Sequence, residues 1–400
     1  MNSFVVHAGL LLSGKNEAPQ KDTCFLVEDG VIVHIKPKTE MPPGVPVKDY
    51  SGYTIIPGLI NSHIHVDLPP IADPKSFLLN SSATDRVLVS RNHLEQHLAS
   101  GVTYVRNMGS GAYLDLELKS AMEKGYFTGP GMVCSGPNLC MTGGHGWFIG
   151  MECDGVDACR KSAREVIKRG ADIVKFMATG GVLTPGVNPN SQQFSYEEIA
   201  AIVDEAHNAG KKAATHAQGS AGIMNALKAG VDSVEHGIFL TDEIIELMLK
   251  QGTYLVPTLA APANIVKNAD NPDIPDYAIH KSRIVAKVHS ENFFKAYKAG
   301  VKISMGTDAG TIFNLHSETW SEWKMMHDLG VKAEDILVFS TSAAADLLGI
   351  SEKYGSLEPG KMADFVVLKE NPLENPETLA NNIAVYKHGI QFCNHAPRHE

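Results

Sequence analysis

From about residue 100 onward, apolar positions recur at helical spacing, stop at a glycine, and resume as a short β-rich run. Ser195-Tyr196-Glu197-Glu198 opens one such unit, because a capping serine and a glutamate three residues later satisfy free helix N–H groups reciprocally. Ile199, Ile202, Val203 and Ala206 then share one helical face, Gly210 ends the helix, and 212–216 reads as a strand. The same rhythm predicts helix 157–169 before strand 172–176, helix 220–229 before 232–236, and helix 242–251 before 254–257. A long helix ending at Gly300 precedes a run at 301–305, and 59–65, 102–105 and 132–135 are runs of the same kind. Eight strands alternating with helices imply parallel pairing. They predict an α/β fold, a (β/α)8 TIM barrel with its chemistry at the C-terminal strand ends.

The two chain ends lack helical periodicity. Runs at 23–27, 31–35 and 53–56 are broken by Gly and Pro, and 365–368 and 383–386 are alike. Neither end has enough apolar length for its own core. Residues 1–56 and 358–400 are therefore expected to build one small β-sandwich domain beside a barrel of residues 57–357. The 400 residues are 44% hydrophobic and 20% charged, an ordinary globular balance. A net charge of −10 without a basic run argues against nucleic acid as a partner. The apolar stretch 4–12 has no basic flank and is interrupted by His7 and Gly9, unlike a signal peptide. No segment reaches the roughly 18 apolar residues of a membrane span. The cysteines at 24, 134, 140, 153, 159 and 393 form no C-x-x-C. They read as reduced thiols of a cytoplasmic protein.

The polar residues change this picture from scaffold to catalyst. His63 and His65 end the first predicted strand, and alternation turns both imidazoles to one side. Lys175 ends the fourth strand, His216 the fifth, His236 the sixth and Asp308 the eighth. Barrel interiors are normally filled by Val, Ile and Leu. Four imidazoles, an amine and a carboxylate are costly to bury together unless they hold a cation. Such N and O donors suit zinc or a similar divalent ion. Asp308 as a helix cap and Lys175 as an ion-pair partner are the competing structural readings. Gln218, two residues after His216, faces the same side if alternation holds. Tyr254 on the seventh strand and His316 in the loop after Asp308 are further candidates to line the mouth. His93-Leu94-Glu95-Gln96-His97 lacks the Glu directly after the first His that H-E-x-x-H requires, and reads as a surface helix.

Pro57-Gly58-Leu59-Ile60-Asn61-Ser62-His63-Ile64-His65, Val174-Lys175, Thr215-His216, Glu235-His236-Gly237, Gly306-Thr307-Asp308 and the segment Gly355 to Asp364 carry a family resemblance. Over nearly its whole length the chain resembles the amidohydrolase superfamily, in the binuclear branch near imidazolonepropionase and the prolidase-like dipeptidases. The resemblance implies a metal-dependent hydrolase with two divalent ions, zinc by expectation. His63, His65 and Asp308 would hold one ion and His216 and His236 the other, with N-carboxylated Lys175 bridging them. A bridging hydroxide would attack, and Asp308 would shuttle its proton. His145, in Thr142-Gly143-Gly144-His145-Gly146-Trp147, falls where this branch touches substrate, and would help stabilise the oxyanion. The implied reaction is cleavage of an amide C–N bond in a small molecule, of dipeptide or N-acyl amino acid type. Relatives are often homo-oligomers. A ring-opening cyclic amidohydrolase or an aminohydrolase is the alternative. Deamination is disfavoured because Ala217-Gln218-Gly219, not a Glu, follows His216, and because Lys175 is present; Lys175 also disfavours imidazolonepropionase itself. A metal-free scaffold is the remote third reading.

Overall fold

A computed structural model describes residues 3–392. Cys393 and the last residues of the expected 358–400 segment lie outside the described residues. The helix–strand units form as their patterns predict. The capping box at Ser195 is made, with the Glu198 carboxylate accepting the Ser195 N–H at 2.7 Å. It starts the helix Tyr196–Asn208, which buries Ile199, Ile202, Val203 and Ala206. Helices Val156–Lys168, Ser220–Lys228, Asp242–Gln251 and Asp276–Ala299 occupy the other expected places. Gly252 and Gly300 end two of them in the left-handed region, at φ 70° and 90°, where a side chain would be strained.

The strands between these helices pair in parallel. One sheet has the order Tyr254–Val256, Ser233–His236, Lys212–Ala217, Ile173–Met177, Asn138–Cys140, Gly150–Glu152. A second joins Leu59–Ile64, Val102–Asn107 and Gly131–Cys134. The 301–305 run is not a continuous strand, yet it stitches the two sheets together. Leu255 donates to the Lys302 carbonyl (2.8 Å) on one side, and Ser62 donates to the Met305 carbonyl (2.9 Å) on the other. On the far side, the backbone link between the sheets is Asp172 N–H to the Cys134 carbonyl, 2.8 Å. Gly136, at φ 65°, and Pro137, without an N–H, turn the chain out of the ladder there. The ladders therefore do not close into the uninterrupted barrel that the pattern predicts, although the parallel α/β order stands.

The chain ends do come together, as one seven-stranded sheet rather than as two separately paired layers. Its order is Ile390–Phe392, Ala384–Lys387, Phe365–Leu368, Val47–Pro57, Ser3–Leu11, Gln20–Glu28, Val31–Lys36. Phe25 and Tyr386 flank Phe365, edge-on at 5.2 Å and stacked at 4.2 Å, in a core drawn from both ends. Val47–Pro57 runs straight into Leu59–Ile64 through Gly58, where a Cβ would meet the Thr103 hydroxyl at 2.1 Å. The terminal sheet thus anchors the strand that carries His63 and leads into His65. Among the described residues, no helix is long and apolar enough to cross a membrane. Cys24, Cys134, Cys140, Cys153 and Cys159 are buried free thiols.

Candidate active site

His63, His65, Lys175, His216, His236 and Asp308 line one cavity, toward the C-terminal ends of the parallel strands. His145 and Gln218 line it too, as do Leu68, Ile149, Val182, Ile238, Pro262 and Ile265. Each of the four strand-end histidines is fixed by a neighbour, and the neighbour dictates the tautomer. Glu235 accepts from His63 Nδ1 (2.8 Å), and the Gly109 carbonyl accepts from His65 Nδ1 (3.2 Å). The Gly180 carbonyl accepts from His216 Nε2 at 2.9 Å. Thr258 spends its own proton on the Pro257 carbonyl (2.6 Å), so it accepts from His236 Nδ1 (2.6 Å). A carboxylate or carbonyl cannot donate, so the other nitrogen of each ring carries a lone pair.

Two of those lone pairs converge on a carboxylate. His63 Nε2 lies 3.4 Å and His65 Nε2 3.3 Å from Asp308 Oδ1. His63 Nε2 and Asp308 Oδ1 are buried without a hydrogen-bond partner. Acceptors facing one another in a buried site repel unless a cation sits among them. These three ligand atoms lie within 4.8 Å of each other, the one such group of His, Cys, Asp and Glu among the described residues. His236 continues the cluster, its ring centroid 5.1 Å from His63 and 4.6 Å from His216. Backbone strain marks the same place, since Asp308 and His236 sit at φ 61° and 71°. The donor set fits a divalent ion.

The amidohydrolase family model matches residues 54–389. This chain belongs to the amidohydrolase family. It is 30% identical to ochratoxinase of Aspergillus niger over 403 residues, 93% of this chain and 82% of that one. It is also similar to a solved Xaa-Pro dipeptidase with bound methionine in the active site. That match has TM-score 0.90 and 30% identity, and covers 98% of this chain and 99% of the other. A prolidase complexed with N-methylphosphonate-L-proline matches with TM-score 0.91 and 27% identity, over 98% and 99%. The amidohydrolase is accordingly a hydrolase acting on carbon–nitrogen bonds, in a family that generally uses a divalent metal centre.

Within the amidohydrolase pocket, Lys175 is 1% exposed. Burial brings its amine down to about 8, against the pull of Glu235 and Asp308. His145 packs 4.3 Å from the His216 ring, and its Nδ1 lies 2.9 Å from the Thr184 hydroxyl. Burial, then the Lys175 and Lys281 cations, push it down to about 3, so it is neutral. Gln218 presents an unpartnered side-chain carbonyl.

Two expected pocket residues lie elsewhere. Tyr254 begins its strand, at the end opposite the cavity, and gives its hydroxyl proton to Asp346 (2.6 Å). His316 is fully buried behind the cavity, bonded to the Leu68 carbonyl (3.1 Å) and to His97 (3.0 Å). His93 and His97 are buried as well, correcting the surface reading, and His93 stacks on His316 at 3.9 Å. They share the buried stripe of Ser90, Leu94 and Leu98 on helix Ala83–Ala99, a signal the helical period already held. The sequence reading missed the residues that hold the ligand set. Glu235 grips His63, and Arg106 neutralises Glu235 at 2.8 Å, both fully inside the protein. Glu235 stands beside His236 in a quoted motif, but nothing local marks Arg106, Thr184 or Thr258.

Proposed function

We propose that this amidohydrolase cleaves the amide bond of a small N-acyl amino acid or dipeptide, with two divalent ions, zinc by donor chemistry, and an N-carboxylated Lys175. The observation that carries the proposal is the join within one cavity. A floor of four imidazoles, an amine and a carboxylate meets a wall of aliphatic side chains. The floor suits amide hydrolysis and the wall suits an apolar side chain or acyl group. The names of the similar proteins, an ochratoxinase, a Xaa-Pro dipeptidase and a prolidase, support that substrate class.

In this reading His63, His65 and Asp308 hold one ion, and His216 and His236 the other. Bound there, the ions supply an acidified water and an electrophile for the carbonyl oxygen. CO2 adds only to an unprotonated amine, and an amine brought to about 8 reaches that form near neutral pH. Asp308 takes the proton of the attacking water on its carboxylate and returns it to the leaving nitrogen. His145, kept neutral by burial, donates to the carbonyl oxygen as charge develops on it. Gln218 offers its side-chain carbonyl to an N–H of the substrate.

The test is a panel of N-acyl amino acids and dipeptides scored by amine release and repeated after chelation. Amine release that stops on chelation and returns with zinc or manganese is the expected result. No release from any member, or a protein that carries no metal after growth in supplemented medium, would sink the proposal.

A further inference from the structure

The helix Asp276–Ala299 contributes Val285 and His289 to the cavity lining. Tyr277, Lys281, Val285, His289 and Asn292 follow at steps of four, four, four and three, one helical face. Around Val285, that face is a row of donors aimed at backbone carbonyls of two separate loops. Tyr277 donates to Leu183 (3.2 Å), and Lys281 to Thr184 (2.6 Å), Gly181 (3.2 Å) and Val182 (3.5 Å). No carboxylate lies within ion-pair distance of Lys281 among the described residues, so three loop carbonyls take its charge. Farther along, His289 Nε2 donates to the carbonyl of His236 (3.0 Å) and Asn292 to that of Ile238 (2.8 Å).

Both loops carry site residues. Thr184 holds the His145 ring at 2.9 Å. His236 sits in the left-handed region, which a non-glycine residue keeps only when its surroundings hold it there. We propose that this helix is a backbone clamp with two independent positioning residues: Lys281 sets His145 through loop 181–184, and His289 sets His236 through its carbonyl. The proposal rests on the reading of the cavity as the substrate and metal site. It adds that substrate-end and metal-end geometry are tuned from one helix.

Hydrogen exchange on the full-length, metal-loaded protein tests it without a substrate. Lys281→Met should speed exchange in 181–184 about tenfold and leave 236–238 unchanged, and His289→Leu should do the reverse. Lys281→Arg and His289→Gln keep a donor and should restore the wild-type pattern. In kinetics, Lys281→Met should lower kcat about tenfold with bound metal unchanged, whereas His289→Leu should lower kcat and bound metal together. Both loops loosening together, neither loosening, or no restoration by Arg and Gln would overturn the clamp. Should Lys281→Met fail to fold, Thr184→Val cuts the same link beyond the clamp and must lower kcat alike; an unchanged kcat overturns it. Wild-type protein that hydrolyses no panel member defeats the functional reading, and the exchange data still decide the clamp.

Discussion

At the scale of single residues, the site is a problem in lone pairs. Asp308 faces two imidazole acceptors at 3.3 and 3.4 Å, and the proposed function makes it both ion ligand and proton carrier. Asp308→Asn keeps the shape and loses the charge and the basicity. We expect kcat to fall about 10³-fold or more, with a circular dichroism spectrum like wild type. Activity within tenfold of wild type would remove Asp308 from the chemistry. Lys175 makes the complementary case. Lys175→Ala should be nearly inactive, and millimolar acetate or propionate should return part of the activity by supplying the missing carboxylate. An alanine variant as active as wild type would exclude the bridging role. These six side chains were legible in the sequence because each stands in or just beyond a predicted strand, where position along the strand gives its face. Tyr254 failed that same criterion by standing at the strand's start. His316 sits in a loop, whose path no periodicity encodes. His93 and His97 were misjudged because imidazole belongs equally to surfaces and interiors, and only the Leu94 and Leu98 stripe beside them separates the two.

At the scale of elements, strands and helices were legible, and their partners less so. A run of alternating apolar residues says that a strand forms, not which edge it joins. Hence the terminal strands became one continuous sheet, and the 301–305 run became a stitch between two sheets. Asn138–Cys140 and Gly150–Glu152, three residues each, are too short for any period to show. They nevertheless matter, because the loop between them carries His145. Its ring is packed against Gly181, where an added Cβ would meet ring atoms at 2.4 Å, closer than any real contact. Gly181→Ala must therefore push the imidazole from its place without removing any metal ligand. We expect kcat/KM to fall about tenfold or more, with a melting temperature near wild type. An unchanged kcat/KM would show that His145 takes no part in holding the substrate or its transition state.

At the scale of the whole molecule, the burial that builds the site also sets its acid tolerance. Nine histidines are held below the ordinary 6.5 by burial: His63, His93, His97, His145, His216, His236, His289, His316 and His388. His93 and His289 lie near 4, and His97 near 3. The unfolded chain protonates these rings near 6.5, so between 6.5 and the folded values it binds more protons than the native state. Stability is then fully present above 6.5 and drains away as pH falls below it. Two buried carboxylates act in the opposite sense. Burial raises Asp115 to about 6 and Glu322 to about 8, so their contribution is complete at low pH and is lost as pH rises through those values. Nine groups outweigh two, and the net slope between pH 6.5 and 5 is toward unfolding on acidification. Bound ions do not cancel it, because ligation needs neutral imidazole and protons compete for the same lone pairs. His93, His97 and His316, away from the ligand set, titrate regardless of metal. Thermal melts from pH 8 to 5, on chelated and metal-loaded protein, should show the midpoint dropping from about pH 6.5 in both forms. A midpoint flat down to pH 5 would mean that these histidines are solvated, and that the packed interior on which the ligand geometry depends is not there.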